Sequence, residues 1–318
     1  DGRAEIIIAT ETAITLFQND GSPGWTHPIE EPPRAVRAGD STGVLVTSGS
    51  AIVQLTADGV EVWHFVAGPS ASLRAGPRAP SVAPSVDVAD PDANGTPEIV
   101  FGTSGGQVYL VAPRAGGEPT AEYPVGGAVT LVRYADLNGD GRGEVLVGAG
   151  GILSVFGSPA GATATRLRWA YATRGAVTDL SARDVDGDGR WEAVVGGRDR
   201  KVTLLDKEGA MVWQFAAAEV VDGVSAGRPG EVLVHAGRHL YLLAGDGTPL
   251  WQRTFASSLR AVAWETTKVV TTTGPAGIAV GLEDGQAVLL APEDGAERWS
   301  YPGSDTHLRA HATNSTLA

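Results

Sequence analysis

One nine-residue grammar recurs three times in this chain, and each copy opens directly into an apolar run. The copies are Asp90-Pro-Asp-Ala-Asn-Gly-Thr-Pro-Glu98, Asp136-Leu-Asn-Gly-Asp-Gly-Arg-Gly-Glu144 and Asp184-Val-Asp-Gly-Asp-Gly-Arg-Trp-Glu192. Oxygen-bearing side chains fall at the first, third, fifth and ninth positions, with glycine at the sixth, where the backbone must turn sharply. A donor set of this kind suits a hard cation that takes about six to eight oxygens, so the spacing points to calcium. A helix-loop-helix site would carry a glutamate at the twelfth position, but Val147 and Val195 stand there. The runs that follow, such as Glu144-Val-Leu-Val-Gly148, are β-branched and strand-length, so the loops join strands.

A second marker supplies the period. An aromatic follows a turn at Trp25, Trp63, Tyr123, Trp169, Trp213, Trp251 and Trp299, and five of these turns carry an acid-Gly pair, as in Asp58-Gly-Val-Glu-Val-Trp63 and Asp246-Gly-Thr-Pro-Leu-Trp251. Acid-Gly pairs make tight hairpin turns. Adding the strand before each loop, such as Val129 to Tyr134, gives four strands per unit. Seven units across 318 residues average about 45 residues each, the length of a four-stranded propeller blade. The expectation is an all-β, seven-bladed β-propeller of four-stranded antiparallel blades, forming a single domain over residues 1–318. One blade is expected to be closed by both ends of the chain: Asp1-Gly-Arg-Ala-Glu5 reads as half a calcium loop, and Thr306 to Ala310 as the strand preceding it. A fourth calcium near Asp1 and Glu5 follows from the same reading. Asp40 to Gly43, Gly227 to Glu231 and the segment at Thr266 lack the full acidic pattern and should bind none.

Composition narrows the function classes. The formal net charge of -13 argues against nucleic acid and anionic membrane surfaces, whose phosphates need clustered lysine and arginine. No apolar run is long enough for a membrane-spanning helix. Without cysteine there are no disulfides, thiolate metal sites or cysteine nucleophiles. Calcium loops of modest affinity suit compartments rich in calcium, which places the chain outside the cytosol, in an extracellular or periplasmic setting after loss of a leader or preceding segment.

Catalytic signals are weak. Gly223-Val-Ser225-Ala-Gly227 has the nucleophile-elbow string, but the repeat puts Ser225 on a strand followed by another strand. The pairs His235 with His239 and His307 with His311 have zinc spacing only on a helix, and here they flank turns and strands. One large aromatic at the same place in each repeat is what packing between blades requires. Trp191, beside Glu192, and Trp264 fall outside that series, and Trp191 is the candidate exposed aromatic. Aligning the strand that precedes each loop gives a row of Arg37, Asp87, Arg133, Ser181, Ser225, Arg260 and Arg309. Arg37, Arg133, Arg260 and Arg309 are thus candidates for an anion or acidic-partner contact at one mouth of the central channel, or for neutralising the loop carboxylates.

The acidic loops resemble the FG-GAP or VCBS repeats, which are also found in integrin α-subunit propellers, and the Gly-x-x-x-Trp turns resemble pyrroloquinoline-quinone-type propeller repeats. The first resemblance implies calcium ligation by Asp90, Asp92, Asn94 and Glu98, by Asp136, Asn138, Asp140 and Glu144, and by Asp184, Asp186, Asp188 and Glu192. Pro91 and Asn94 depart from the commoner loop. Neither family has one function. Taken together, the chain reads as a non-enzymatic, calcium-stabilised propeller that acts as a binding or structural module in an extracellular or periplasmic assembly, with a protein or glycan partner. The alternative is a propeller enzyme, either a polysaccharide lyase or a quinone-dependent dehydrogenase.

Overall fold

The computed structural model describes residues 6–18, 22–39, 43–48, 51–66, 82–89, 98–112, 119–157, 166–226, 228–264 and 277–301. These residues form seven sheets. The first holds β1 (Ile6–Ala9), β2 (Ala13–Phe17) and β3 (Pro23–Pro28); the second β4 (Pro33–Gly39), β5 (Gly43–Ser48), β6 (Ala51–Leu55) and β7 (Glu61–Val66). The third holds β8 (Val82–Ala89), β9 (Glu98–Thr103), β10 (Gln107–Val111) and β11 (Pro119–Pro124), and the fourth β12 (Val129–Ala135), β13 (Glu144–Ala149), β14 (Ile152–Gly157) and β15 (Arg166–Ala172). The fifth holds β16 (Val177–Arg183), β17 (Glu192–Gly197), β18 (Lys201–Leu205) and β19 (Met211–Ala216); the sixth β20 (Val221–Ala226), β21 (Glu231–Ala236), β22 (His239–Ala244) and β23 (Pro249–Thr254). The seventh holds β24 (Leu259–Trp264), β25 (Ile278–Leu282), β26 (Ala287–Leu290) and β27 (Glu297–Tyr301). Each sheet is an antiparallel meander in chain order, and the fold is the expected seven-bladed β-propeller. The first sheet has three strands among the described residues; the closing strand expected at 306–310 lies outside them, as do Asp1 and Glu5.

Burial grades along each sheet. The second strands β9, β13 and β17 are buried at every position, whereas the fourth strands β19 and β23 alternate exposed with half-buried residues. A strand covered on both faces reads as a continuous apolar run, and an outer strand with one wet face alternates. The third-strand to fourth-strand turns carry the acid-Gly pairs.

By contact the chain divides into two compact units, Asp1–Tyr134 with Glu144–Gly150 and Ser154–Leu167, and Ala135–Gly143 with Gly151–Leu153 and Arg168–Ala318. In the first unit, Trp25 donates from Nε1 to the carbonyl of Ala57 at 2.7 Å, and its ring lies over Gly59. In the second, Trp169 donates to Lys207 O, Trp213 to Gly245 O and Trp251 to Pro292 O, each at 2.8 Å. Those rings lie over Gly209, Gly247 and Gly295, all with positive φ. A Cβ on Gly209 would sit 2.6 Å from the Trp169 ring, so glycine is needed for the turn and for the indole above it. Each tryptophan therefore fastens the outer strand of one sheet to the outer turn of the next. Other members of the series depart from this: Trp63 Nε1 is buried without a hydrogen-bond partner among the described residues, Trp299 is 50% exposed, and Tyr123 stacks on Phe156 with centroids 5.3 Å apart.

The first strands are fastened by another device. Ser85 Oγ donates to Val132 O and accepts from Val132 N–H, and Asp87 Oδ2 accepts from Tyr134 N–H at 2.9 Å. In the second unit Asp179 Oδ2 accepts from Val224 N–H at 3.0 Å and Ser181 Oγ from Ala226 N–H at 3.2 Å. The edge N–H groups of β12 and β20, which have no strand beyond them, thus find side-chain acceptors on the preceding first strand.

One turn breaks the glycine rule. Gly106, Arg200 and Gly285 each donate their N–H across the second-strand to third-strand turn, to Thr103, Gly197 and Leu282 respectively. Arg200 has φ 64°, and no other non-glycine among the described residues has positive φ. A β-carbon there costs about 1–2 kcal/mol relative to glycine, partly offset by the greater unfolded-state entropy of glycine.

Two outcomes follow for stability. Gly209→Ala should destabilise the fold by at least about 2 kcal/mol in urea titration, through its positive φ and its clash with Trp169. Arg200→Gly should stabilise by up to about 1 kcal/mol in the same assay.

Candidate metal centre

The Asp184 loop folds around its own backbone. Asp184 accepts from Gly187 N–H through Oδ1 at 2.7 Å and from Gly189 N–H through Oδ2 at 3.0 Å. Asp186 Oδ1 accepts from Asp188 N–H, and Asp188 Oδ1 from Arg190 N–H. The Asp136 loop repeats the scheme: Asp136 takes Gly139 N–H and Gly141 N–H, Asn138 Oδ1 takes Asp140 N–H, and Asp140 Oδ1 takes Arg142 N–H. Glycines 139, 141, 187 and 189 all have positive φ, which lets successive side chains turn to one side.

The result is a convergence of like charges. Asp184, Asp186 and Asp188 each present a carboxylate oxygen within 4.8 Å of the other two, the one such cluster of metal-ligating side chains among the described residues. Three carboxylates so close repel one another unless a cation lies between them. The donors are all oxygen, the set that suits a hard divalent ion rather than a thiophilic or imidazole-seeking one. In the Asp136 loop Asn138 keeps the oxygen at the third position with one negative charge fewer.

The ninth position is buried. Glu98, Glu144 and Glu192 are buried at 5%, 3% and 4% exposure as the first residues of β9, β13 and β17. Glu192 Oε2 accepts from Val185 N–H at 2.8 Å. Burial raises its pKa most, the Val185 N–H opposes that, and the charges of Asp186 and Asp188 raise it further. Position two, not singled out from sequence, anchors the loop: Leu137 and Val185 are both 1% exposed, and Val185 belongs to the core cluster with Val194 and Val232. The apolar residue after each first aspartate was the available signal. Neighbouring loops also touch, with Trp191 N–H directed at Leu137 O at 3.4 Å. Trp191 is half-buried rather than fully exposed. Asp90, Asp92 and Asn94 lie outside the described residues.

The sixth sheet shows what replaces a loop. Glu231 opens β21 as Glu192 opens β17, and burial raises its pKa, opposed by Arg228 and reinforced by Glu293. Arg228 lies 5.5 Å from the centroid of buried Trp264 and 3.7 Å from Glu293. A side-chain cation is thus supplied where the acidic loop is missing.

The arginine row is only partly reproduced. Arg133 donates from Nη1 to Ser85 Oγ and to Val132 O, which ties it to the first-strand bracket. Asp87 and Ser181 occupy that row and serve the same brackets. Arg260 does not belong to it. Ser181 pairs with Val194 three residues beyond the bulged Thr178 of β16, and the same count in β24 leads to Ala263, opposite Ala279. Arg260 is itself the bulged residue and pairs with Glu283. The side chain of Arg37 and all of Arg309 lie outside the described residues.

Ser225 sits in β20 with β21 following, so no strand-turn-helix elbow forms around it. His235 and His239 flank the turn at Gly237, as expected, but they do not act as a pair. His239 meets Thr254 and Glu219, whereas His235 lies across Gly223, its Nδ1 buried without a hydrogen-bond partner. Burial lowers the His235 pKa, partly countered by Asp179 and Asp222. The folded chain therefore keeps His235 neutral below its ordinary value of 6.5, where the unfolded chain takes up a proton. Its contribution to stability is present above that value and is lost as pH falls through the depressed one. His235→Gln should flatten this part of the pH dependence of unfolding free energy, and an identical slope in the variant would contradict the assignment.

Three comparisons place the chain. Residues 149–316 match a PQQ-type repeat family model described as outer membrane protein assembly factor BamB. No curated protein sequence matches. Among solved structures, the computationally designed Ika8 protein superposes with a TM-score of 0.76 at 13% identity, over 99% of this chain and 89% of that one. BBS1N in complex with ARL6DN, in a lead-soaked crystal, gives 0.66 at 13% identity over 91% and 87%; its mercury-soaked counterpart gives 0.65 at 14% over 91% and 86%. At such identities these structures are similar in fold alone. With more than half its length matched, the chain belongs to the PQQ-type propeller family described as outer membrane protein assembly factor BamB.

Proposed function

We propose that this chain is a non-enzymatic β-propeller that serves as a binding or structural module in a periplasmic or extracellular assembly, with calcium holding its acidic loops. The convergence of Asp184, Asp186 and Asp188 carries the calcium part of this reading. The family description, an outer membrane assembly factor, supports the assembly role and the envelope location. Among the described residues no helix is long and apolar enough to cross a membrane. The indoles that a quinone-stacking enzyme would draw on, Trp25, Trp169, Trp213 and Trp251, each donate to a neighbouring turn, which favours a scaffold.

In this reading the loops are FG-GAP or VCBS-like insertions in a PQQ-type frame. Asp184, Asp186 and Asp188 ligate, and Glu192 holds the loop through Val185 N–H. Asp136, Asn138 and Asp140 with Glu144, and Asp90, Asp92 and Asn94 with Glu98, fill the corresponding roles. The partner is a protein or a glycan presented to the blade faces. Calcium acts as a joint between first and second strands rather than as a reagent.

A cation that binds the folded state alone stabilises it by mass action, about 2.7 kcal/mol at a hundredfold excess over Kd. Chelator should therefore lower the melting temperature and added calcium restore it, and Asp184→Asn with Asp188→Asn should blunt the response. Superimposable melting curves with and without chelator would contradict calcium. Cross-linking in intact source cells should move the chain into a larger complex, and recovery as an isolated chain would contradict the assembly role.

A further inference from the structure

Arg200 occupies the one turn position where its counterparts Gly106 and Gly285 are glycine, so the chain carries a strained backbone there in order to keep an arginine side chain. Its neighbours share its character. Arg174, Arg198 and Arg200 are all exposed, on the connection from β15 to β16 and the turn from β17 to β18. Two hydrogen bonds hold these segments together, Arg198 N–H to Ala176 O and Arg174 N–H to Asp199 Oδ2, and Arg200 O accepts from the N–H of Ala217, just beyond β19. A Cβ on Gly175 would lie 3.3 Å from the Arg198 Cβ, so the residue that follows Arg174 packs directly against Arg198.

Two exposed arginines on the following sheets are neutralised: Arg238, on the equivalent turn of the sixth sheet, faces Glu219, and Arg260 faces Glu283. Among the described residues no carboxylate forms an ion pair with Arg174, Arg198 or Arg200. Asp199, the acid between them, turns its oxygens to the N–H groups of Arg174 and Lys201. In a chain of net charge -13, three exposed arginines thus lie on neighbouring segments with no ion-pair partner among the described residues.

We propose that the Arg174–Arg198–Arg200 surface docks an acidic segment of a protein partner. Guanidinium groups present paired donors that match carboxylates. The negative charge of the rest of the chain repels a long polyanion such as nucleic acid, while a short acidic segment stays within the local positive field, about one Debye length. This rests on the reading of the chain as a binding module and names one of its surfaces.

The test measures binding of a labelled oligo-glutamate peptide to the whole chain by fluorescence anisotropy, comparing wild type with Arg174→Gln/Arg198→Gln/Arg200→Gly and with Arg200→Gly alone. Wild type should bind with an affinity that falls as salt rises. The triple variant should bind roughly tenfold more weakly or worse, as loss of a charge-assisted contact implies, and Arg200→Gly should bind more weakly while melting no lower than wild type. Equal peptide affinity in wild type and triple variant overturns the proposal. So does tighter binding to phosphatidylglycerol vesicles or duplex DNA than to the peptide, which would make the surface a phosphate site. If the chain cross-links into its cellular complex yet the peptide ignores the three substitutions, this surface is wrong and the binding-module reading stands; if the peptide responds but no complex forms, the converse holds.

Discussion

The structure depends on an indole seated on a glycine turn. Trp25, Trp169, Trp213 and Trp251 each leave the outer strand of one sheet, cover a positive-φ glycine in the next, and donate to a carbonyl of that turn. The contact joins burial of a large aromatic surface to a directed hydrogen bond, so it both drives packing and sets its register. Substituting either partner disrupts the other, because a larger turn residue displaces the ring and a smaller ring leaves the turn carbonyl without its donor. Repetition of this clasp ties the half-exposed outer strands to the neighbouring sheets.

The first strands meet under different constraints. Their edge N–H groups have no further strand to pair with, and Ser85, Asp87, Asp179 and Ser181 supply acceptors instead. The acidic loops sit between these first strands and the buried second strands. In the Asp184 loop tight turns draw the carboxylates together, and buried Val185 and Glu192 anchor it. Under the calcium reading the ion relieves a repulsion that the fold itself creates, which is a scaffold role. In the sixth sheet, which lacks such a loop, Arg228 lies against Trp264 and Glu293.

How much of this was legible in the sequence varied with the kind of interaction. The blade count and strand order followed from features that recur at fixed spacing, namely the acidic loops and the turn-Gly to Trp interval. The brackets were not legible, because Ser85 and Asp87 exchange places in Asp179 and Ser181, so neither position keeps one residue type. Arg260 was assigned to the wrong row for a physical reason. The first strands β4, β16, β20 and β24 each carry a bulge after their first residue, and without an acidic loop to count from, nothing in the seventh repeat marks the register. The burial of His235 was likewise hidden, since its ring occupies the space left by the missing side chain of Gly223 on the adjacent strand.

The most direct test of the clasp is a double-mutant cycle on Trp213 and Gly247, with unfolding free energies for Trp213→Phe, Gly247→Ala and the pair. A Cβ on Gly247 would lie 2.7 Å from the Trp213 ring, and that ring donates to Gly245 O. If the two residues form one contact, their costs overlap, and the pair should lose less than the sum of the single variants by at least about 1 kcal/mol. Additivity within about 0.5 kcal/mol would mean that ring and turn stabilise the fold independently, and would contradict the account.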